Sequence, residues 1–285
     1  MRRLKRSSTM LTTLVLLATV FVAPAVAKPT TVPGLPVYLA LGDSWAYGQG
    51  AADPTSGGYV AQLDEVLQVE LDCLPGKSNK AADGCKHLQL LNLARPATET
   101  LPGVTTPLVA SEQLPVAIPL LEARNQDANP RNNVEGITLH VGGNDVSGPI
   151  QEACIFGSPE DCAIAFLTVM PAFEADLDNV VSQLRTAAGD DTPIVLGTYD
   201  NPVPYCDLAA VPGAIELGAM VLEGTPDGFL DGIHDVVRRV AATYDAEVAE
   251  VFGQLGAGDF VGGADCLHPT DAGYDIVTDA FASLF

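Results

Sequence analysis

The chain has 285 residues, 47 % of them hydrophobic and 18 % charged, with a formal net charge of −22. A chain of this length can bury one sizeable core, and a single α/β domain fits it. So acidic a protein is poorly matched to nucleic acid or to an anionic lipid surface, and neither is expected as a partner.

The first segment stands apart from the rest. Arg2, Arg3, Lys5 and Arg6 precede an apolar run from Met10 to Val22 and the small-x-small triplet Ala25-Val26-Ala27, the pattern of a cleaved secretory leader. Residues 1–27 are therefore expected to be a signal peptide and residues 28–285 one secreted domain. Cleavage would leave 258 residues with 10 basic and 36 acidic side chains, a net −26. Plain solubility outside the cell is favoured over adaptation to high salt as the reason for that charge. No later segment has the roughly 18 uninterrupted apolar residues of a membrane span, and no cysteine sits at the cleavage point, so no membrane anchor is expected.

Five short apolar segments bounded by Gly, Pro or charged residues read as buried strands: Val37 to Leu41, Leu88 to Leu93, Ile137 to Val141, Ile194 to Leu196, and Val248 to Phe252. Amphipathic stretches lie between and after them. Tyr59 to Leu71 places Val60, Leu63, Val66, Leu67 and Leu71 near helical spacing. Ala163 to Ala188 is long enough for one helix, with Pro171 expected to end or kink its first part. Ile233 to Tyr244 and Ala272 to Leu284 complete the set. The apolar residues between Leu101 and Leu121 read as the buried side of a further helix. Strands alternating with helices predict a parallel sheet covered on both faces. Ligands of such a sheet bind at the carboxyl ends of the strands. The loop from Tyr47 to Gly58 is expected to border that site.

Six cysteines come after the leader: Cys73, Cys85, Cys154, Cys162, Cys206 and Cys266. An even count in an exported chain implies disulfides. Their spacing suggests neighbours in sequence: 73–85, 154–162 and 206–266. Neither a C-x-x-C nor an H-x-x-x-H pair occurs, so no metal is expected.

Three loops at strand ends carry the polar residues of interest. Ser44 follows the first strand through Gly42 and Asp43, at a strand-to-helix turn where N–H donors converge; that place suits a nucleophile. Alone, such a tripeptide reads first as a turn with a Ser or Asp cap. Asp265-Cys266-Leu267-His268 sets a carboxylate three residues before a histidine, so that Asp265 could hold Nδ1–H and leave Nε2 to take the Ser44 proton. Of the other histidines, His87 precedes the second strand, His140 lies within the third as a core residue, and His234 is expected on a helix surface. Gly142-Gly143-Asn144-Asp145 reads as a glycine turn that aims the Asn144 amide as an oxyanion donor. Asp145 is expected to tie the loop, and Arg95 to be a surface residue.

Taken together these blocks resemble the SGNH (GDSL-type) hydrolases: Gly42-Asp43-Ser44 early, Gly142-Gly143-Asn144-Asp145 in the middle and Asp265-x-x-His268 near the end. The six cysteines further resemble those of the secreted actinobacterial esterases and lipases of that family. The resemblance implies a three-layer, flavodoxin-like α/β/α sandwich whose five-stranded parallel sheet has the order 2-1-3-4-5. It implies Ser44 as nucleophile, His268 as base and Asp265 as the partner of the base. It implies an oxyanion hole made by the Ser44 backbone N–H, the N–H at Ala97 in the segment Asn92-Leu93-Ala94-Arg95-Pro96-Ala97-Thr98, and the Asn144 side chain. The chain departs from the pattern at Trp45, where Leu or Tyr is usual, and at Ala97, where the family has Gly. Ala97 keeps the N–H, but at a positive φ it would carry strain of about 1–2 kcal/mol.

The reading is a secreted serine esterase or lipase, monomeric, that needs no cofactor and acts on a small-molecule or lipid ester through an acyl-enzyme. A polysaccharide acetyl esterase or a phospholipase would use the same site. A binding protein that kept the fold and lost the activity is the reading of another class.

Overall fold

The computed structural model describes residue 31 and residues 34–70, 88–97, 109–263 and 265–285. The expected leader, Leu71, Cys73 and Cys85 with their expected bridge, His87, and residues 101–108 of the expected apolar helix face lie outside the described residues.

Five strands form one sheet: β1 (Val37–Gly42), β2 (Gln89–Asn92), β3 (Val134–His140), β4 (Ile194–Gly197) and β5 (Glu247–Ala249). Their order is β2-β1-β3-β4-β5, and every pairing is parallel. The central strand β1 is buried along its whole length. Both of its faces are covered, which is why its sequence is apolar without alternation. The connections are helical: α1 (Ser44–Tyr47), α2 (Pro54–Gly57) and α3 (Tyr59–Glu70) after β1, and α4 (Leu114–Asn125) before β3. After β3 come α5 (Gly143–Phe156) and α6 (Pro159–Ala188). After β4 come α7 (Ala214–Glu223) and α8 (Ile233–Thr243), and α9 (Asp271–Ala282) closes the chain.

Helices α3 and α9 pack together, as do α4 with α6 and α6 with α8. On the α3–α9 side, Tyr59 stacks on Phe281 and both approach the His140 ring. His140 is fully buried, and that burial holds its pKa down to about 3, so the ring is neutral. This agrees with its reading as a core residue.

Several boundaries differ from expectation. β5 ends at Ala249, two residues before Val251, whose N–H turns instead to the Thr198 hydroxyl. Helix α6 begins at Pro159 rather than Ala163, because Ser158 and Asp161 form a capping box. It also runs through Pro171 without ending there. The carbonyl deprived of a partner by Pro171 belongs to Leu167, which is exposed, so water can satisfy it. α4 does bury Leu114, Ala117 and Leu121 as expected of a helix face. Cys154–Cys162 joins the last turn of α5 to the first of α6, and Cys206–Cys266 closes the longer span.

Candidate active site

The first block grows out of β1. Gly42 has φ +141°, and a Cβ there would run into the carbonyl oxygen of His140 on the adjacent strand. Only glycine allows the chain to turn at that point. The Gln113 side chain grips the same residue: its Oε1 accepts from the Gly42 N–H and its Nε2 donates to the Gly42 carbonyl, both at 2.8 Å. Gln113 is buried and was not legible in the sequence, because its partner lies 71 positions away. Asp43 caps α1, its Oδ1 accepting from the Trp45 N–H at 2.9 Å. Ser44 is thus the first residue of a short helix at the carboxyl end of the central strand.

The last block comes back to meet it. His268 Nε2 lies 2.9 Å from Ser44 Oγ, and His268 Nδ1 faces the Asp265 carboxylate in hydrogen-bond contact. The Ser44 and His268 side chains are nearly buried, whereas the Asp265 side chain is 44 % exposed. Three ties fix the loop that carries them. Cys206–Cys266 fastens it to the segment after β4. The Val261 N–H donates to the His268 carbonyl at 2.9 Å, next to an antiparallel bridge between Phe260 and Pro269. Trp45 Nε1 donates to the Leu267 carbonyl at 3.1 Å. The unusual Trp45 is packed beneath the site against His140, Tyr199 and Phe260.

Gly142-Gly143-Asn144-Asp145 is not a free turn. Gly142 has φ +126° and caps α5, so Asn144 and Asp145 stand in the first turn of that helix. The turn signal of the glycines is real, but the residues after them have helical partners downstream. Asn144 faces the same cleft as Ser44 and His268. Ala97 has φ +58°, so the left-handed turn survives without the glycine. The Arg95 N–H bonds the Gly42 carbonyl at 3.2 Å and holds this turn beside the end of β1. Ala97 itself is exposed and is not among the described residues lining the cleft.

The cleft, of about 330 Å³, opens between α5 and α7. Asn144, Ser147, Gln151 and Asn201 give it polar walls, and Val203, Val221, Leu222 and Leu267 apolar ones. The loop from Tyr47 to Gly58 does not line it. That loop packs behind His268 instead: the Ala52 N–H donates to Asp271 at 2.8 Å, and Gly50 lies against His268 and Pro269. Arg95 is a surface residue paired with Glu112. His234 overturns its expected place on a helix surface. It is fully buried, its Nε2 accepting from the Tyr199 N–H at 2.9 Å and its Nδ1 meeting Glu223 at 2.5 Å. The α8 face that reads as polar at this position is turned toward the end of β4.

With this geometry in place, comparison with known proteins is direct. Residues 40–276 match the model of the GDSL-like Lipase/Acylhydrolase family, and the chain belongs to that family. Among solved structures it is similar to an extracellular lipase from Streptomyces rimosus, with a TM-score of 0.59 and 16 % identity over 88 % of this chain and 100 % of that one. It is also similar to the lipase Lip_vut3 from a goat rumen metagenome, with a TM-score of 0.55 and 16 % identity over 88 % and 97 %. At such identity the likeness is one of fold. Comparison with curated proteins gives no match. Family membership makes the chain a hydrolase of the ester-cleaving class.

Proposed function

We propose that the chain is a secreted serine esterase or lipase that cleaves carboxylic esters through an acyl-enzyme. The observation that carries this reading is the line Asp265–His268–Ser44, with Nε2 at 2.9 Å from Oγ and Nδ1 on the carboxylate. Ser44 Oγ attacks the ester carbonyl as His268 Nε2 removes its proton. Asp265 keeps the tautomer with hydrogen on Nδ1 and steadies the imidazolium that forms. The oxyanion is held by the Ser44 backbone N–H and the Asn144 amide, while Ala97, outside the residues that line the cleft, belongs to the neighbouring turn. His268 then protonates the departing alkoxide, and water repeats the sequence to free the acid. The chemistry needs no cofactor. The leader-like residues 1–27 and the paired cysteines support export.

Labelling with a fluorophosphonate tests the reading. The wild-type protein should be labelled on Ser44 and Ser44→Ala should not, with activity lost and circular dichroism unchanged. Activity of Ser44→Ala within tenfold of wild type would overturn it. Rates on p-nitrophenyl acetate, octanoate and palmitate separate esterase from lipase. The polar walls of the cleft favour, as a second reading, removal of acetyl groups from a polysaccharide, which an acetylated xylan would test.

A further inference from the structure

Tyr199 follows β4 by two residues, and its side chain reaches across the floor of the cleft. Its hydroxyl donates to Asp43 Oδ2 at 2.6 Å and accepts from the Gly143 N–H at 3.4 Å. Asp43 immediately precedes Ser44, and Gly143 immediately precedes Asn144. One phenol therefore bridges the turn that presents the nucleophile and the helix start that presents the amide donor.

We propose that Tyr199 is a positioning residue for the hydrolytic site, setting the distance between Ser44 and Asn144 through Asp43 and Gly143. The proposal rests on the catalytic reading given above. Three observations bear on it. The Asp43 carboxylate is held from both sides, since its other oxygen takes the Trp45 N–H at 2.9 Å. Movement of the phenol is therefore passed to the Ser44 turn. The Tyr199 ring is itself confined, 5 % exposed, edge-on to Trp45 with ring centres 5.2 Å apart and tilted on His140 at 4.4 Å. Its backbone is fixed from the far side as well. The Tyr199 N–H binds His234 Nε2, His234 is oriented by Glu223, and Glu223 is held by Arg238, which also grips Glu250. This gives the buried His234 pair, which takes no part in the proton transfers, a physical role.

A developing oxyanion gains most from donors fixed at hydrogen-bond distance before the reaction starts. Small displacements of such groups cost rate rather than binding. Tyr199→Phe removes only the hydroxyl and leaves the ring. It should lower kcat at least tenfold with KM within twofold, measured on p-nitrophenyl acetate. In the Asn144→Ala background the same change should cost less than threefold, because the donor it positions has gone. A kcat within twofold of wild type, a loss confined to KM, or full multiplication of the two effects would overturn the proposal. Should Tyr199→Phe not fold, Asp43→Asn weakens the same contact from the other side. A fivefold loss of kcat at constant KM then supports the proposal, and an unchanged kcat overturns it. Ser44→Ala separates the two levels: if it is inactive while Tyr199→Phe is normal, the catalytic reading stands and the role of Tyr199 falls. If Ser44→Ala stays active, both fall.

Discussion

Trp45 Nε1 donates to the carbonyl of Leu267 at 3.1 Å, so the residue after Ser44 is bonded to the residue before His268. The two blocks are 222 positions apart in sequence. Trp45→Phe retains an aromatic ring and deletes the N–H. One neutral hydrogen bond contributes about 0.5–1.5 kcal/mol, so the fall in stability should be of that size. The same loosened contact should reduce kcat by about three- to tenfold, near that free energy expressed as rate. Chemical denaturation and steady-state kinetics on one preparation check both. Unchanged kcat would mean that the disulfide and the Val261 contact suffice to place the loop.

Ala97 sits at φ +58° where a glycine would be unstrained. Ala97→Gly relieves about 1–2 kcal/mol of backbone strain, against about 0.4–1 kcal/mol of added unfolded-state entropy. A small net gain in stability is expected, with kcat equal or higher. A severalfold drop in kcat would show that the Ala97 methyl has a part in holding this turn.

Gly148 lines the cleft on α5, and a Cβ added there meets no atom within 4 Å. A larger side chain therefore enters the cleft without disturbing the helix. Gly148→Leu should leave acetate hydrolysis within about threefold and lower kcat/KM on octanoate by about tenfold or more, the scale on which apolar pockets discriminate chain size. Equal loss on both esters would place the acyl chain elsewhere.

Burial raises the Asp43 carboxyl from its ordinary value to about 7, against the pull of its hydrogen bonds from Tyr199 and Trp45. The folded state therefore holds a proton that the unfolded chain has released. The stabilisation is complete below the ordinary carboxyl pKa and is lost as pH rises through about 7. The melting temperature should carry a component that declines from pH 4 to pH 7 and levels above it, and Asp43→Asn should flatten that component. A decline that persists in Asp43→Asn would assign it to another group.

Cys206–Cys266 spans 60 positions and ends beside Asp265 and His268. Cys206→Ser/Cys266→Ser should lower stability by about 2–4 kcal/mol. Activity should fall at temperatures where circular dichroism remains native, because the loop frees His268 before the core opens. Loss of activity only along with the core would show that the Trp45 and Val261 contacts suffice.

The sequence by itself determined the class of the fold, because period and composition are local. Val37 to Leu41 is an unbroken apolar run, and a strand buried on both faces needs nothing else. The three blocks were also legible, since a serine after a strand, a carboxylate three residues before a histidine and a glycine-led asparagine each have a short-range signature. Other features were decided only by the tertiary structure. His234 reads as a surface residue on an amphipathic helix, yet the end of β4 covers it, and no local pattern records which face a distant strand will meet. Asn144 reads as part of a turn but opens a helix, because the path of the chain after Gly142 is settled by how α5 packs on α6 and α7. Gln113 and Tyr199 carry no motif at all. Their importance lies in bonds to Gly42, Asp43 and Gly143, and those bonds exist only once parallel strands far apart in sequence have brought their carboxyl ends to one edge of the sheet.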